Sequence, residues 1–130
     1  MTEKQALKEK ILIVEDNSQN MKMIEMLLRS RNYTLLKAID GKEALDVATR
    51  ECPDLIIMDM QLSKVSGLEV TRRLRQMPDY SNIPIIALTA YAMKGDKERF
   101  LEAGCDAYLS KPFNTRELPE MIAEMLRRQE

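Results

Sequence analysis

Acidic side chains follow two apolar runs of this 130-residue sequence, a threonine follows a third run and a lysine follows a fourth. Groups of these kinds serve in metal binding and phosphoryl transfer, where carboxylates hold a cation and an ammonium group contacts a phosphoryl oxygen. The set consists of Glu15, Asp16, Asp59, Thr89 and Lys111. It forms one site only if the fold brings the ends of the four runs together.

Three carboxylates gathered at one place would need a cation. Two carboxylates about 5 Å apart repel each other by roughly 3 kcal/mol at an effective dielectric constant of about 20. Ligands that are all oxygen favour Mg²⁺, which combines one or two carboxylates with water and phosphate. The sequence has no histidine and no CxxC pair, which argues strongly against a zinc site and excludes histidine as a general base. With its charge partly screened, Asp59 could attack phosphorus and form an aspartyl phosphate.

Each of these residues has an ordinary structural explanation when it is taken alone. An Asp after a strand is commonly a helix cap or a turn former, and Lys111 before a proline reads as an exposed turn. The ordered combination at successive run ends has no comparable structural explanation. Within it, Lys111 gains a role as a cation and Thr89 as a hydroxyl donor to phosphoryl oxygens. The combination predicts a phosphoryl site centred on Asp59.

The elements that would position this site follow from the apolar pattern. Five short runs rich in β-branched residues predict strands, and stretches of helical spacing follow each of them. The predicted strands are Ile11–Val14, Tyr33–Ala38, Leu55–Met58, Ile83–Leu88 and Ala107–Leu109. This alternation predicts an α/β fold, a doubly wound five-stranded parallel sheet with five helices. Such sheets bind ligands at the carboxyl ends of their strands.

The composition narrows the class of protein. Twenty basic and twenty-one acidic residues give a net charge of −1, which argues against a protein that coats nucleic acid or anionic lipid. We predict a polar N-terminal extension at residues 1–9 and one domain at residues 10–130. No apolar run reaches the length of a signal peptide or membrane span, which favours a cytoplasmic protein. Cys52 and Cys105 are expected to be buried or half-buried packing residues.

From about Lys10 to about Arg128 the sequence resembles the response-regulator receiver domains of two-component signalling. The resemblance rests on five motifs: ILIVEDN at 11–17, PDLIIMDM at 53–60, SGLEV at 66–70, PIIALTA at 84–90 and AGCDAYLSKPF at 103–113. The segment TAYAMKGD at 89–96 is similar to single-domain regulators of the cell-division type and to receiver modules of hybrid histidine kinases. The resemblance implies the flavodoxin-like strand order 2-1-3-4-5.

The resemblance also assigns roles to individual residues. It implies that Asp59 is the phosphoacceptor, that Glu15 and Asp16 join it in an acidic Mg²⁺ pocket, and that the backbone carbonyl of Gln61 supplies a further metal ligand. Thr89 and Lys111 would contact the phosphoryl group. Tyr108, three residues before Lys111, matches the aromatic residue that switches position in this family.

The implied function is that of a signalling protein rather than a metabolic enzyme. A receiver catalyses its own aspartyl phosphorylation and dephosphorylation and takes its phosphoryl group from a histidine kinase or a histidine phosphotransfer protein. It then signals to a downstream protein target. We expect no direct contact with nucleic acid or membrane, and a monomer or a weak dimer on phosphorylation.

The sequence departs from the family at two positions. Receivers usually have Pro where this chain has Ser63, and often Asp where it has Ser66. The loop from Gln61 to Gly67 is therefore expected to be more mobile than usual and the geometry around Asp59 less fixed.

Three alternatives remain open at this point. A flavodoxin-like nucleotide or FMN binder would share the fold but needs a Gly/Ser/Thr-rich phosphate cradle where this chain has Glu15 and Asp16. A Mg²⁺-dependent phosphohydrolase would ordinarily need a second acid near Asp59, and Gln61 is not one. A receiver that has lost phosphorylation would not need the complete set of site residues.

Overall fold

The computed structural model describes residues 8–62, 66–90, 95–111 and 115–128 of the chain. In these residues five strands alternate with helices, as the apolar pattern predicts. The strands are β1 (Lys10–Val14), β2 (Thr34–Ala38), β3 (Leu55–Asp59), β4 (Ile85–Thr89) and β5 (Ala107–Ser110). The α-helices are α1 (Ser18–Leu28), α2 (Gly41–Glu51), α3 (Gly67–Gln76), α4 (Asp96–Ala103) and α5 (Glu117–Arg128), with 3₁₀ turns at Arg29–Arg31 and Pro78–Tyr80.

All strand pairs in the sheet are parallel, and the strand order is β2-β1-β3-β4-β5. This confirms the doubly wound fold with order 2-1-3-4-5. Strand order reverses beside β1, so β1 and β3 are neighbours at the point where such sheets bind ligands. Because β1, β3, β4 and β5 run in the same direction side by side, their carboxyl ends meet at one edge of the sheet.

Alternate residues of the central strands enter two apolar cores, one on each face of the sheet. The first core contains Leu12, Ile56 and Ala87 and is covered by α2, α3 and α4, which contribute residues such as Val47, Leu74 and Phe100. The second core contains Ile13, Ile57 and Leu88 and is covered by α1 and α5, through residues such as Ile24 and Ile122. Strands buried on both faces explain why the sequence shows continuous apolar runs rather than alternation.

Side-chain caps fix where three of the helices begin. Asn17 accepts a hydrogen bond from the backbone N–H of Asn20, Asp40 from that of Glu43, and Ser66 from that of Glu69. Each cap satisfies a backbone N–H that has no partner within its helix. Ser66 therefore supports α3 without the Asp that is frequent at this position. Ser63 lies outside the described residues, so the predicted mobility of its loop stays a prediction.

The first residue of α3 approaches the end of β3 very closely. A Cβ added to Gly67 would lie 2.3 Å from the backbone oxygen of Asp59. Glycine is needed here because any side chain would push the helix away from the strand. The packing of α3 therefore helps to fix the backbone position of Asp59.

Arg75 joins its helix, α3, to two other segments. Its guanidinium donates to the backbone oxygens of Gly104 (2.9 Å) and Tyr80 (2.8 Å) and to the Asp106 carboxylate (2.8 Å). Asp106 in turn accepts from the backbone N–H of Ile85 at the start of β4, at 2.8 Å. This network ties α3 to the 3₁₀ turn before β4 and to the turn before β5.

Two sequence predictions need correction in detail. Cys52 is exposed, whereas Cys105 is buried. Cys52 follows α2 in the left-handed conformation (φ 50°), so it ends the helix at the surface instead of packing in the core. Strand β4 begins at Ile85, two residues later than predicted, because Pro84 has no N–H to donate to a neighbouring strand.

No helix among the described residues is long and apolar enough to span a bilayer.

Candidate functional site

The carboxyl end of β1 supplies the first two acidic residues. The Glu15 side chain is buried, with 1% of the residue exposed, and accepts a hydrogen bond from the backbone N–H of Asn17 at 3.1 Å. Asp16 is exposed. The two neighbours thus differ in environment, and Asp16 places a carboxylate on the solvent side of the site.

The end of β3 supplies the third carboxylate. Asp59 is buried, with 3% exposed, and accepts a hydrogen bond from the backbone N–H of Gln61 at 3.0 Å. One ligand oxygen from each of Glu15, Asp16 and Asp59 lies within 4.8 Å of the other two. The fold therefore brings together the three carboxylates that the sequence singled out.

These three carboxylates fit a hard divalent cation. Their oxygen-only chemistry suits Mg²⁺, and the exposure of Asp16 leaves one side of the cluster open to the waters that this ion retains. The residues that would hold the ion are Glu15, Asp16 and Asp59. Bound there, Mg²⁺ would neutralise negative charge on the acidic cluster and on a phosphoryl group.

Lys111, just after β5, also contacts the acidic cluster. Its ammonium group lies 3.2 Å from a carboxylate oxygen of Glu15 and 3.6 Å from one of Asp59. Its backbone N–H donates to the carbonyl of Thr89 at 2.7 Å, which ties the ends of β4 and β5 together. The lysine thus partly offsets two buried negative charges and lies beside the predicted acceptor oxygens.

Burial raises the pKa of the Glu15 carboxyl, because a buried carboxylate loses hydration that favours its charged form. The adjacent Asp59 raises it further, through a hydrogen bond and through charge repulsion. The Asn17 N–H and the Lys111 ammonium act in the opposite direction without cancelling the effect. The carboxylates of Glu15 and Asp59 thus repel each other, and a bound cation would reduce this repulsion.

Thr89 ends β4 with its side chain buried. Its hydroxyl oxygen accepts a hydrogen bond from the carboxamide nitrogen of Gln61 at 2.9 Å, and the carboxamide oxygen of Gln61 accepts from the backbone N–H of Ala90 at 3.0 Å. The sequence analysis predicted a metal-ligand role for the backbone carbonyl of Gln61 and did not predict this side-chain bridge. The sequence feature that could have indicated this bridge is the position of Gln61 just after β3, the strand that pairs with β4.

Tyr108 lies on β5, opposite Ala87 of β4, and is half-buried. Its ring packs edge-to-face against Phe100 of α4, with centroids 6.2 Å apart and an interplanar angle of 61°. It borders the first core rather than belonging to the acidic cluster. Its role as a switch, and the metal-ligand role of the Gln61 carbonyl, stay predictions.

The fold and the acidic edge define a class of protein. The chain belongs to the response-regulator receiver domain family, whose sequence model matches residues 11–123. This membership also favours a receiver over the flavin-binding and phosphohydrolase alternatives.

Individual relatives place the chain more narrowly. It is 47% identical over 116 residues to the polar-differentiation response regulator DivK of Brucella anthropi, which covers 89% of this chain and 94% of that protein. DivK proteins of other Brucella species match equally well. The predicted similarity to single-domain regulators of the cell-division type is thus confirmed.

Solved structures agree with this placement. The receiver domain of the sensor histidine kinase PA1611 from Pseudomonas aeruginosa, solved with magnesium coordinated in its active-site cleft, is 40% identical with a TM-score of 0.86 and covers 93% of this chain and 99% of that one. The chemotaxis protein CheY4 of Vibrio cholerae is 28% identical with the same TM-score of 0.86, over 92% and 99% of the two chains. The chain is therefore similar both to stand-alone regulators and to a kinase receiver.

Proposed function

We propose that this chain is a phosphoacceptor receiver in two-component signal transduction, in which a phosphohistidine donor transfers its phosphoryl group to Asp59 in the presence of Mg²⁺. The observation that carries the proposal is the convergence of three carboxylates within 4.8 Å with a lysine ammonium 3.6 Å from the Asp59 carboxylate. A helix cap or turn would not require a buried Asp with both a second buried acid and a cation beside it.

The residues around Asp59 have different roles in the reaction. The carboxylate of Asp59 is the nucleophile, and the bond from phosphorus to the donor nitrogen breaks as the new bond to the carboxylate oxygen forms. Lys111 is placed to stabilise negative charge on the phosphoryl oxygens. Glu15 and Asp16 would hold the cation together with Asp59, and Thr89 would donate its hydroxyl to the transferred phosphoryl group. The same groups would position water for hydrolysis of the aspartyl phosphate.

The predicted partners follow from this chemistry. A histidine kinase or a histidine phosphotransfer protein supplies the phosphoryl group, and a downstream protein reads the phosphorylated surface. Phosphorylation adds about two negative charges at the carboxyl edge of the sheet. These charges favour a different position of Thr89 on β4 and, through the pairing of β4 with β5, of Tyr108. We further propose a cytoplasmic protein that is monomeric or forms a weak dimer when phosphorylated, with no direct contact with nucleic acid or membrane.

The test is incubation with acetyl phosphate and Mg²⁺, followed by intact mass spectrometry. We expect one phosphoryl adduct on the wild type, no adduct after removal of Mg²⁺ by EDTA, and none on Asp59→Asn. Asp54→Asn is the matched control, because Asp54 is an exposed carboxylate just before β3 and lies at the opposite end of that strand. An adduct that persists in Asp59→Asn, or no adduct on the wild type at saturating donor, would contradict the proposal.

A further inference from the structure

The side chain of Gln61 bridges the ends of β3 and β4 beside the phosphoacceptor. Its carboxamide nitrogen lies 2.9 Å from the Thr89 hydroxyl oxygen, and its carboxamide oxygen lies 3.0 Å from the backbone nitrogen of Ala90. A backbone N–H can only donate, so the carboxamide oxygen must face Ala90 and the NH₂ group must face Thr89. The orientation of the carboxamide is therefore fixed by its partners.

The same residue also contacts Asp59 through its backbone. The N–H of Gln61 donates to a carboxylate oxygen of Asp59 at 3.0 Å. This hydrogen bond holds the backbone of Gln61 beside the acceptor, and the carboxamide lies one side-chain length away. Because Asp59 and Leu88 are paired in the sheet, the ends of β3 and β4 lie next to each other. The bridge thus lies over the gap between the acceptor strand and the strand that carries Thr89.

A phosphoryl group on Asp59 and this carboxamide would compete for the Ala90 N–H. Phosphoryl oxygens accept hydrogen bonds, and the neighbouring donors at the end of β4 are the Ala90 N–H and the Thr89 hydroxyl. The carboxamide oxygen already uses the Ala90 N–H, and its NH₂ group holds the oxygen of Thr89. Thr89 is buried, whereas Gln61 is exposed and its side chain can leave towards solvent.

We propose that Gln61 is a positioning residue: its carboxamide is a latch that holds Thr89 and Ala90 in the unphosphorylated arrangement and is displaced when a phosphoryl group on Asp59 takes the Ala90 N–H. This inference rests on the proposed phosphorylation of Asp59. It assigns to Gln61 a role in the switching equilibrium that is separate from metal binding by its backbone. Release of the latch would couple the chemistry at Asp59 to the movement of Thr89.

The test uses Gln61→Met, which keeps the length of the side chain but lacks the amide donor and the strong oxygen acceptor. The first readout is the Thr89 methyl resonance of the protein without any phosphoryl donor. We expect it to move in Gln61→Met towards its position in the wild type bound to beryllofluoride and Mg²⁺, a phosphoryl mimic. The second readout is the affinity for beryllofluoride, expected to rise roughly fivefold, which corresponds to about 1 kcal/mol.

Two controls separate a latch from a general structural effect. Gln76→Met makes the same chemical change on an exposed residue at the end of α3 and should alter neither readout. In a Thr89→Val background, Gln61→Met should raise the beryllofluoride affinity by clearly less than it does in the wild type, because only the contact of the carboxamide with Ala90 is then left to lose. An equal affinity gain in both backgrounds would overturn the proposal.

The outcomes also distinguish this inference from the proposed function. If no variant binds beryllofluoride, the phosphoacceptor role fails, and the latch is then judged by the Thr89 side-chain rotamer, measured by three-bond couplings to its methyl group. A changed rotamer population in free Gln61→Met supports the latch, and an unchanged population together with an unmoved methyl resonance overturns it.

Discussion

At the scale of single residues, the raised pKa of Glu15 makes the stability of the fold depend on pH. Its pKa is raised, first by burial and then by Asp59. A carboxyl whose pKa is higher in the folded chain than in the unfolded chain stabilises the fold while it is protonated. That contribution is present below the unfolded value and is lost as the pH rises through the folded value. Ionisation of Glu15 in the folded chain therefore lowers the free energy of unfolding relative to the protonated form.

This leads to a prediction for Glu15→Gln. We expect the melting temperature at pH 7 without Mg²⁺ to rise by a few degrees, because the substitution replaces a carboxyl whose ionisation is disfavoured by burial with a neutral group and keeps an acceptor for the Asn17 N–H. Addition of Mg²⁺ should raise the melting temperature of the wild type but much less that of the variant. Differential scanning calorimetry from pH 4 to pH 8 measures both effects.

Glu25→Gln provides the matched control for this experiment. Glu25 lies on α1 and pairs with Lys37 at the surface, at 3.4 Å. Its substitution should change the free energy of unfolding by no more than about 0.5 kcal/mol, as is usual for a surface ion pair. A lower melting temperature for Glu15→Gln at pH 7 would show that the pair with Lys111 outweighs the burial of the charge.

At the scale of secondary-structure elements, the contact between α3 and β3 positions the acceptor. We expect Gly67→Ala to lower the free energy of unfolding by about 1–3 kcal/mol, because the new methyl group would overlap the backbone oxygen of Asp59. The rate of phosphorylation by acetyl phosphate should fall as well, since the acceptor is displaced. Urea denaturation and intact-mass kinetics measure the two effects.

Gly95→Ala separates overlap from backbone strain. Gly95 has a positive φ of 93°, but an added Cβ would meet no atom of the described residues within 4 Å. We expect about 1 kcal/mol of destabilisation from the strained conformation alone, without loss of contact at Asp59. If Gly67→Ala phosphorylates at the wild-type rate, α3 does not fix the position of the acceptor.

The Arg75 network makes a second prediction at this scale. Arg75→Lys should lower the free energy of unfolding by about 2–3 kcal/mol, because an ammonium group cannot reproduce three hydrogen bonds from one planar guanidinium. Arg73→Lys is the control, since Arg73 is an exposed residue of the same helix paired with Glu69 at 3.2 Å. Its effect should stay below about 0.5 kcal/mol. Equal effects of the two substitutions in urea denaturation would contradict the assignment.

At the scale of the whole molecule, one sheet separates two cores that share every central strand. Ile56 enters the first core and Ile57 the second, so substitutions at these two adjacent residues test the packing on both faces of the sheet. We expect Ile56→Val and Ile57→Val each to lower the free energy of unfolding by about 1 kcal/mol. The two effects should be additive in the double variant, because the side chains lie on opposite faces of β3.

Coincident transitions would show that the cores melt together. Far-ultraviolet and near-ultraviolet circular dichroism should give the same midpoint for each variant, as expected when both cores depend on one sheet. Ile39→Val is the control, since Ile39 is 57% exposed and its substitution should change stability by less than about 0.5 kcal/mol. Separate midpoints for the two probes would mean that one core can unfold while the other remains.

The sequence alone determined the fold and the chemical members of the site. Strands buried on both faces must be continuously apolar, so their number and approximate limits are local properties of the sequence. Parallel strands place their carboxyl ends at one edge, so Glu15, Asp59, Thr89 and Lys111 could be assigned to one site before any distance was known. The motifs then identified the family to which the chain belongs.

Only the tertiary structure decided how these residues interact. The bridge from Gln61 to Thr89 joins residues 28 positions apart, and the Arg75 network joins α3 to turns before β4 and β5. Such contacts depend on which strands are neighbours and on the direction of individual side chains, and neither is encoded in local periodicity. The exposure of Cys52 likewise follows from a left-handed helix end. The apolar pattern determines where the strands and helices lie in the sequence, while polar contacts between distant segments determine the geometry of the site.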